Sequence, residues 1–352
     1  MKTTDAVMSA LASVQSADGF ISGQLLADTC GISRQAVWKA VNALRLRGAR
    51  IEAVTNKGYR LLEGGGMLRE ATICALLDKN MHASLPKNAT ALVPDGMNVR
   101  VFVYDAIDST NAEAKRRCAE ALDVRTLDGT VIIASKQTAG RGRMGRSFFS
   151  PDGAGLYLTL IYAPSGGITS PALLTATAAV GVCRALFDVY GVDAQIKWVN
   201  DIFVRGKKVC GILTEGVTNF ETGVIDCAIV GIGINILPVN LPPELVNVAG
   251  SVLEDRNADT QRNALAASVV THVFSLYNAS DCSSAMSEYR TRSFLIDKTI
   301  TVHPTIGARD MSYEAIVRGI TDDAKLVVEA TDGTMKTLES GEVHIGSEHV
   351  SA

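Results

Sequence analysis

The chain has few of the features that hold a fold together from outside its own core. Its seven cysteines are odd in number, scattered and without a C-x-x-C pair. Neither a disulfide framework nor a thiolate metal site is therefore expected, and inert thiols in a reducing cytosol are. No run reads as a membrane span. The most apolar segment, Ala172 to Phe187, is interrupted by Thr175, Thr177, Gly181 and Arg184 and reads as a packed helix. Asp5 follows Lys2 with no continuous apolar run behind it, which predicts no secretory signal, a cytoplasmic location and no membrane contact. Internal repeats, low-complexity tracts and a Gly-Lys-Ser/Thr phosphate loop are all missing. The net charge of −3 excludes little until it is divided along the chain.

What is present suffices for a large core: 352 residues, 47% of them apolar, a length that suits two or three domains. A first segment runs to about Glu63, and Gly64-Gly65-Gly66 reads as a hinge. A long middle region mixes helical and β patterns to about Arg292. From Phe294 to Ile345 short alternating runs, with turns at Asp322-Asp323 and Asp332-Gly333, predict a small all-β barrel.

The first segment concentrates positive charge. Between Arg34 and Arg60 there are seven basic residues and one acidic residue, Glu52, which suits either a phosphate backbone or a solvated helix face. Leu25 to Thr29 reads as the end of a helix, Gly31 breaks it, and Ser33 is an N-cap for the next. Val37, Ala40, Val41 and Leu44 then form an inward stripe. Arg34, Gln35, Lys39, Asn42 and Arg45 take the opposite face, with Trp38 beside it and placed to pack on the wing. That wing is a hairpin: Ile51 to Val54, a turn at Asn56-Lys57-Gly58, and Tyr59 to Leu61, which would aim Lys57 and Arg60 at phosphate. Together these make a winged helix-turn-helix, a DNA-binding architecture; a small helical domain for protein contacts is the alternative.

In the middle region, a strand from Thr130 to Ser135 leads into Gln137-Thr138-Ala139-Gly140-Arg141-Gly142-Arg143-Met144-Gly145-Arg146. The loop contains G-x-G-x-x-G, but no helix opens behind it. Ser147 to Pro151 and a β-rich run, Leu156 to Tyr162, come next instead, so the dinucleotide reading is rejected. Glycines let backbone N–H groups approach a ligand, and Arg141, Arg143 and Arg146 suit carboxylate and phosphate oxygens. Such a loop can order over a charged intermediate; a basic loop contacting nucleic acid is the other reading. Asp108-Ser109-Thr110-Asn111 opens a helix through Ala119. Lys197-Trp198-Val199-Asn200-Asp201, then Lys207-Lys208-Val209-Cys210-Gly211-Ile212-Leu213, then Gly231-Ile232-Gly233-Ile234-Asn235 complete the set.

D-S-T-N, Q-x-A-G-R-G-R-x-G, K-W-x-N-D, K-x-x-G-I-L and G-I-G-I-N occur in the order and approximate spacing of the biotin protein ligases. With the N-terminal winged helix, nearly the whole chain resembles the bifunctional form, ligase and biotin-operon repressor in one. The resemblance implies an α+β protein of three parts. These are a winged helix-turn-helix with linker (1–66), a central mixed α/β ligase domain of the class II synthetase kind (67–293), and an SH3-like β-barrel (294–352). It places biotin contacts at Ser109, Thr110, Asn111, Gln137, Gly140, Arg141, Gly142, Arg143, Lys208, Gly211, Gly231 and Gly233. The nucleotide falls to Arg146, Phe148, Asn200, Asp201 and Asn235, with Mg²⁺ near Asp201. Catalysis falls to Lys208, Arg141 and Arg143. DNA contacts fall to Ser33, Arg34, Gln35, Lys39, Asn42, Arg45, Lys57 and Arg60. Biotin and ATP would give biotinyl-5′-AMP, passed to a lysine of a biotin carboxyl carrier domain. The adenylate-bound chain would dimerise on operator DNA. A lipoate or other carboxylate ligase, and a biotin-sensing repressor without catalysis, are the alternatives. Two departures stand out. Val199 replaces the family's proline, which predicts a looser Asn200, and Phe148 stands where a tryptophan is usual.

Overall fold

The computed structural model describes residues 3–14, 19–46, 49, 51–61, 67–82, 98–218, 223–256, 258, 260–303, 312–339 and 342–345. The Gly64-Gly65-Gly66 hinge lies outside the described residues. Three helices, α1 (Thr3–Ala12), α2 (Gly23–Cys30) and α3 (Arg34–Leu46), precede a hairpin of β1 (Ile51–Val54) and β2 (Gly58–Leu61). Gly31 ends α2 in the left-handed region, at φ 65°. Two residues on, Ser33 Oγ accepts from Ala36 N at 3.2 Å and starts α3. The stripe Val37, Ala40, Val41 and Leu44 meets Val7, Leu11 and Leu26 in a core of its own. The sequence pattern missed α1, whose described buried residues, Val7, Ala10 and Leu11, span little more than one turn. Gly58 is obligatory: its φ is 104°, and a Cβ there would stand 2.1 Å from the Ile21 carbonyl. Ile21 and Tyr59 exchange both backbone hydrogen bonds at that point, at 2.8 Å each.

Downstream come α4 (Glu70–His82), β3 (Arg100–Tyr104), α5 (Thr110–Glu120), β4 (Thr130–Ala134), β5 (Gly155–Tyr162) and α6 (Pro171–Tyr190). Next are β6 (Gln195–Lys197), β7 (Asp201–Val204), β8 (Lys207–Thr218), β9 (Ile225–Asn235), α7 (Arg262–Tyr277) and α8 (Ser283–Arg292). The strands form a seven-stranded mixed sheet in the order β3-β4-β5-β9-β8-β7-β6. Alternation divides its two faces. Val131 and Ile133 of β4, Leu156, Leu158 and Leu160 of β5, and Val230, Ile232 and Ile234 of β9 pack with α6 and α7 in the main core. Ile132, Ile161, Cys227 and Ile229 face α5 through Ala114 and Cys118. Helix α6 is long and apolar enough to cross a membrane by length and composition. Here its Ala176, Val180 and Cys183 are fully buried in that core. All seven cysteines are free, and burial pushes the Cys183 thiol up to about 12, in keeping with inert thiols.

The last five strands, β10 (Thr299–His303), β11 (Tyr313–Ile320), β12 (Leu326–Ala330), β13 (Met335–Leu338) and β14 (Glu342–Ile345), are all antiparallel, in the order β13-β12-β11-β10-β14. Both expected turns are there, with Gly333 at φ 81°. The sheet is not a satellite: Ile300, Val302, Val317 and Val328 belong to the same buried cluster as the central sheet.

Candidate active site

On the α5 face, β9 reads Cys227, Ile229, Gly231, Gly233, Asn235: apolar where α5 covers it, bare where the helix begins. Gly231 to Asn235 form the last five residues of β9. Each glycine makes room for a named side chain. A Cβ on Gly231 would lie 2.0 Å from Asn111 Oδ1. Gly233 pairs with Gly211 of β8, and the two form a recess for the ring of Phe148; Cβ atoms would meet that ring at 2.6 and 3.5 Å. Tyr157 closes the recess edge-on, with ring centroids 6.3 Å apart.

The Gly/Arg loop joins β4 to β5 and folds on itself. Gly142 N donates to the Arg146 carbonyl at 2.7 Å, and Phe148 N to the Gly140 carbonyl at 2.9 Å. Met144 and Gly145 turn the loop at φ 59° and 76°, and Arg141 and Arg146 lie exposed. Gly140 is pressed against Phe148 and Ser150, with 2.4 Å from a Cβ to the Phe148 carbonyl. Gln137 is fixed from both sides. Its Oε1 accepts from Thr110 N at 2.8 Å and Thr110 Oγ1 at 3.1 Å, and its Nε2 donates to Ser150 Oγ at 2.9 Å. Ser109 caps α5 through Ala112 N at 3.4 Å. The helix N-terminus is thereby tied to the loop.

A polar chain then crosses from loop to sheet. Arg143 Nη1 donates to Asn200 Oδ1 at 2.8 Å. Asn200 Nδ2 donates to Asp201 Oδ1 at 3.0 Å and to the Ile212 carbonyl at 3.1 Å. Lys208 Nζ pairs with Asp201 Oδ1 at 2.7 Å. Four sequence-predicted residues from three segments thus form one charged line, in which buried Asn200 has both ends of its amide engaged. The looseness expected from Val199 is not found. The Trp198–Val199 peptide is cis, and the corner is pinned twice. Trp198 Nε1 donates to the Ala324 carbonyl at 2.8 Å, and Tyr289 Oη to the Val199 carbonyl at 3.1 Å. Asn235 is half-buried at the strand end, its carbonyl taking Val252 N at 2.9 Å.

Asn111 departs from expectation. It is buried, and its side chain is fully engaged by protein: Thr159 Oγ1 donates to its Oδ1 at 2.7 Å, while its Nδ2 donates to Glu215 Oε2 at 3.0 Å and the Leu213 carbonyl at 3.4 Å. It is a peg that ties α5 to β5 and β8. Sequence reasoning missed Thr159, Glu215 and Lys115, whose Nζ meets Glu215 Oε1 at 2.6 Å. Burial works to raise the Glu215 pKa, but Lys115, Asn111 and Arg141 outweigh it and hold the carboxyl below its usual range. Glu215→Ala is expected to free the Asn111 amide and raise the KM for the ligand bound beside it about tenfold, roughly the worth of one charge-assisted hydrogen bond, while Glu215→Gln keeps most of the wild-type value. Steady-state kinetics with an intact kcat would check this; an unchanged KM in Glu215→Ala would remove the positioning role.

The basic domain also sorts differently from its sequence. Arg34, Gln35 and Lys39 are exposed and Asn42 half-exposed on α3, as expected, and Ser33 is the cap. Two arginines are engaged within the domain. Arg45 donates to the Ile51 carbonyl at 3.0 and 2.7 Å, tying α3 to the wing. Arg60 pairs with Glu52, with Nε to Oε2 at 3.0 Å, and lies 4.5 Å over the Phe20 ring. Lys57, at the wing tip, stands 5.5 Å from the same ring. Trp38 does not pack on the wing; it is 57% exposed.

A mixed sheet carrying this Gly/Arg loop, beside a helix-turn-helix, defines the class. The Biotin/lipoate A/B protein ligase family matches residues 105–235, and an HTH domain matches residues 9–60. The chain is similar to the bifunctional ligase/repressor BirA of Bacillus subtilis (strain 168), 32% identical over 342 residues, which covers 94% of this chain and 96% of the relative. It is also similar to BirA of Escherichia coli (strain K12), 29% identical over 93% of this chain and 94% of that one. The chain belongs to this family of bifunctional biotin ligase/repressor proteins. Its fold matches that of the biotin protein ligase from Aquifex aeolicus in complex with biotin and ATP, with a TM-score of 0.54 and 22% identity over 69% of this chain and 97% of the other.

Proposed function

We propose that the chain activates biotin with ATP, passes it to a lysine of a biotin carboxyl carrier domain, and represses transcription when it holds the adenylate. The line Arg143–Asn200–Asp201–Lys208 along the glycine recess carries this reading. It sets two cations at either end of a site whose reaction joins a carboxylate to a phosphate. In the first step a biotin carboxylate oxygen attacks the α-phosphorus, forming the mixed anhydride as the P–O bond to pyrophosphate breaks. In the second, a carrier lysine amine attacks the acyl carbon, forming the amide; AMP leaves and the amine loses a proton. Catalysis is positioning and charge stabilisation. Lys208 offsets the negative charge of the two reacting groups, Arg143 holds the anhydride, and Arg141 closes over it from the exposed side. Asp201 would meet a nucleotide-borne Mg²⁺, an ion that takes few protein carboxylates and fills its shell with phosphate oxygens and water. One carboxylate fits that demand, and among the described residues no cluster of three or more potential ligands offers a dedicated metal site. The test supplies ATP, labelled biotin and a carrier domain, with lipoate as competitor. Label on the carrier that lipoate does not displace is expected; lipoate displacing it would point to the wrong acid.

Arg143→Gly removes both the loop's link to Asn200 and a cation. Free biotinyl-AMP is expected to leave the enzyme roughly tenfold faster, the loss of about one charged hydrogen bond, and to label bystander lysines. An unchanged release rate, followed by chasing pre-formed adenylate, would count against the lid.

For repression, the winged helix meets operator DNA through Arg34, Gln35, Lys39, Asn42 and Lys57, with Arg45 and Arg60 holding the domain together. The paired form would arise at β8. Its partner β7 reaches only to Gly211, while β9 follows β8 to Thr218, so the edge from Leu213 onward has strand-pairing capacity on one side. Two copies joined there would present two winged helices to a palindromic site. Sedimentation with and without biotin and ATP is the check: a mass that stays at one chain in both would argue against pairing. In this reading residues 1–66 bind DNA, 67–293 catalyse, and 294–352 form an SH3-like barrel that braces the Trp198 corner.

A further inference from the structure

Among the described side chains of α3 the large apolar ones are buried, with Val37 and Val41 at 0% and Leu44 at 1% exposed, except Trp38, at 57%. It does not stand at the margin of the polar face. Arg34, Trp38 and Asn42 lie at i, i+4 and i+8, one straight row along the helix, with Gln35 and Lys39 beside it. An indole held out in water between an arginine and an asparagine has no use in the domain's own core, which Leu26, Val37, Val41 and Leu44 already fill. The helix around it carries no acidic residue, and among the described residues neither Arg34 nor Lys39 enters an ion pair. The row is therefore matched in charge to a polyanion, and its one apolar member sits where a recognition helix meets base edges.

We propose that Trp38 reads thymine: its ring packs on the C5-methyl group in the major groove, while Arg34 and Asn42 on either side take polar base edges or phosphate. This rests on the DNA-binding reading above and adds to it a specificity-determining residue. A thymine methyl is the apolar feature the major groove offers. A wide, rigid ring covers it at little cost in side-chain freedom, and burying one methyl group is worth about a four-fold change in affinity.

The test uses the full-length chain with biotin, ATP and Mg²⁺ to enrich duplexes from a randomised DNA pool. Each thymine of the best duplex is then replaced singly by deoxyuridine, which removes the methyl group and nothing else. Wild type is expected to lose about four-fold at one thymine per half-site. Trp38→Ala should bind the unmodified duplex about tenfold or more weakly and be indifferent to deoxyuridine at that position. Trp38→Phe should keep part of the preference. The variants should retain the wild-type thermal unfolding midpoint and carrier-labelling rate, since Trp38 touches neither core nor active site. Quenching or shift of tryptophan emission on adding the duplex should vanish in Trp38→Phe. Unchanged affinity in Trp38→Ala, or deoxyuridine sensitivity that survives in it, would overturn the assignment while leaving DNA binding intact. Failure of wild type to enrich any sequence would overturn both.

Discussion

Lys208→Ala is expected to lower adenylate formation about a hundredfold to a thousandfold, the usual loss when one preorganised charge donor is removed from a site of developing negative charge. Two effects combine. The substitution removes the cation at the sheet end of the Arg143–Asn200–Asp201–Lys208 line, and it leaves the half-buried Asp201 carboxylate without the partner 2.7 Å away. An unpaired anion there would repel both the biotin carboxylate and the α-phosphate, so KM and kcat should both suffer. The neighbouring lysine is a built-in control. Successive residues of a strand face opposite ways, and Lys207 Nζ reaches the Asn247 carbonyl at 2.5 Å rather than Asp201. Lys207→Ala should stay within about threefold of wild type, as for a surface substitution of under 1 kcal/mol. Biotin-dependent pyrophosphate release measures both variants; near-normal release by Lys208→Ala would refute its role.

Gly231→Ala should be nearly as damaging for a steric reason. The added methyl would overlap Asn111 Oδ1, 2.0 Å away, and that oxygen is not free to withdraw, because Thr159 and Glu215 hold the amide from two sides. Overpacking of this kind costs about 1–3 kcal/mol. It would push the first turn of α5, with Ser109 and Thr110, away from β9. A lower thermal midpoint together with a biotin KM at least about tenfold higher is expected. Combining it with Asn111→Ala removes the collision, so the double variant should be less impaired than the sum of the singles. Strict additivity of the two would show that the clash is relieved elsewhere and that the peg is not what fixes the helix.

These two positions also mark where sequence reading stops. Five ordered motifs sufficed to bring Gln137, Arg143, Asn200, Asp201 and Lys208 to one place, and turn chemistry found Gly31, the Asn56–Gly58 wing tip and Gly333. Such signals are local: a glycine where φ is positive, a cap, a period of two or 3.6. What each side chain does on arrival depends on elements far off in sequence. Asn111 meets Thr159 48 residues away and Glu215 104 residues away, and no spacing rule told a peg from a ligand contact. The basic patch has the same limit. Its net charge was legible, but Arg45 and Arg60 are engaged by the Ile51 carbonyl and by Glu52 with Phe20. Val199 shows the reverse case. Losing a proline reads as slack, yet Ala324, in the β11–β12 turn, and Tyr289, on α8, take over the restraint.

The same restraint decides how such a chain can be rearranged by recombination. The helix-turn-helix has a private interior, and the residues that fill it are not those that fill the rest; it behaves as a cassette, open to loss or exchange without unpacking the catalytic sheet. The terminal five-stranded sheet has no such independence. Its apolar residues are continuous with the central interior, and one of its turns holds the tryptophan two residues before Asn200. Removing the first of these is therefore expected to leave the catalytic sheet packed, and removing the last to open its core.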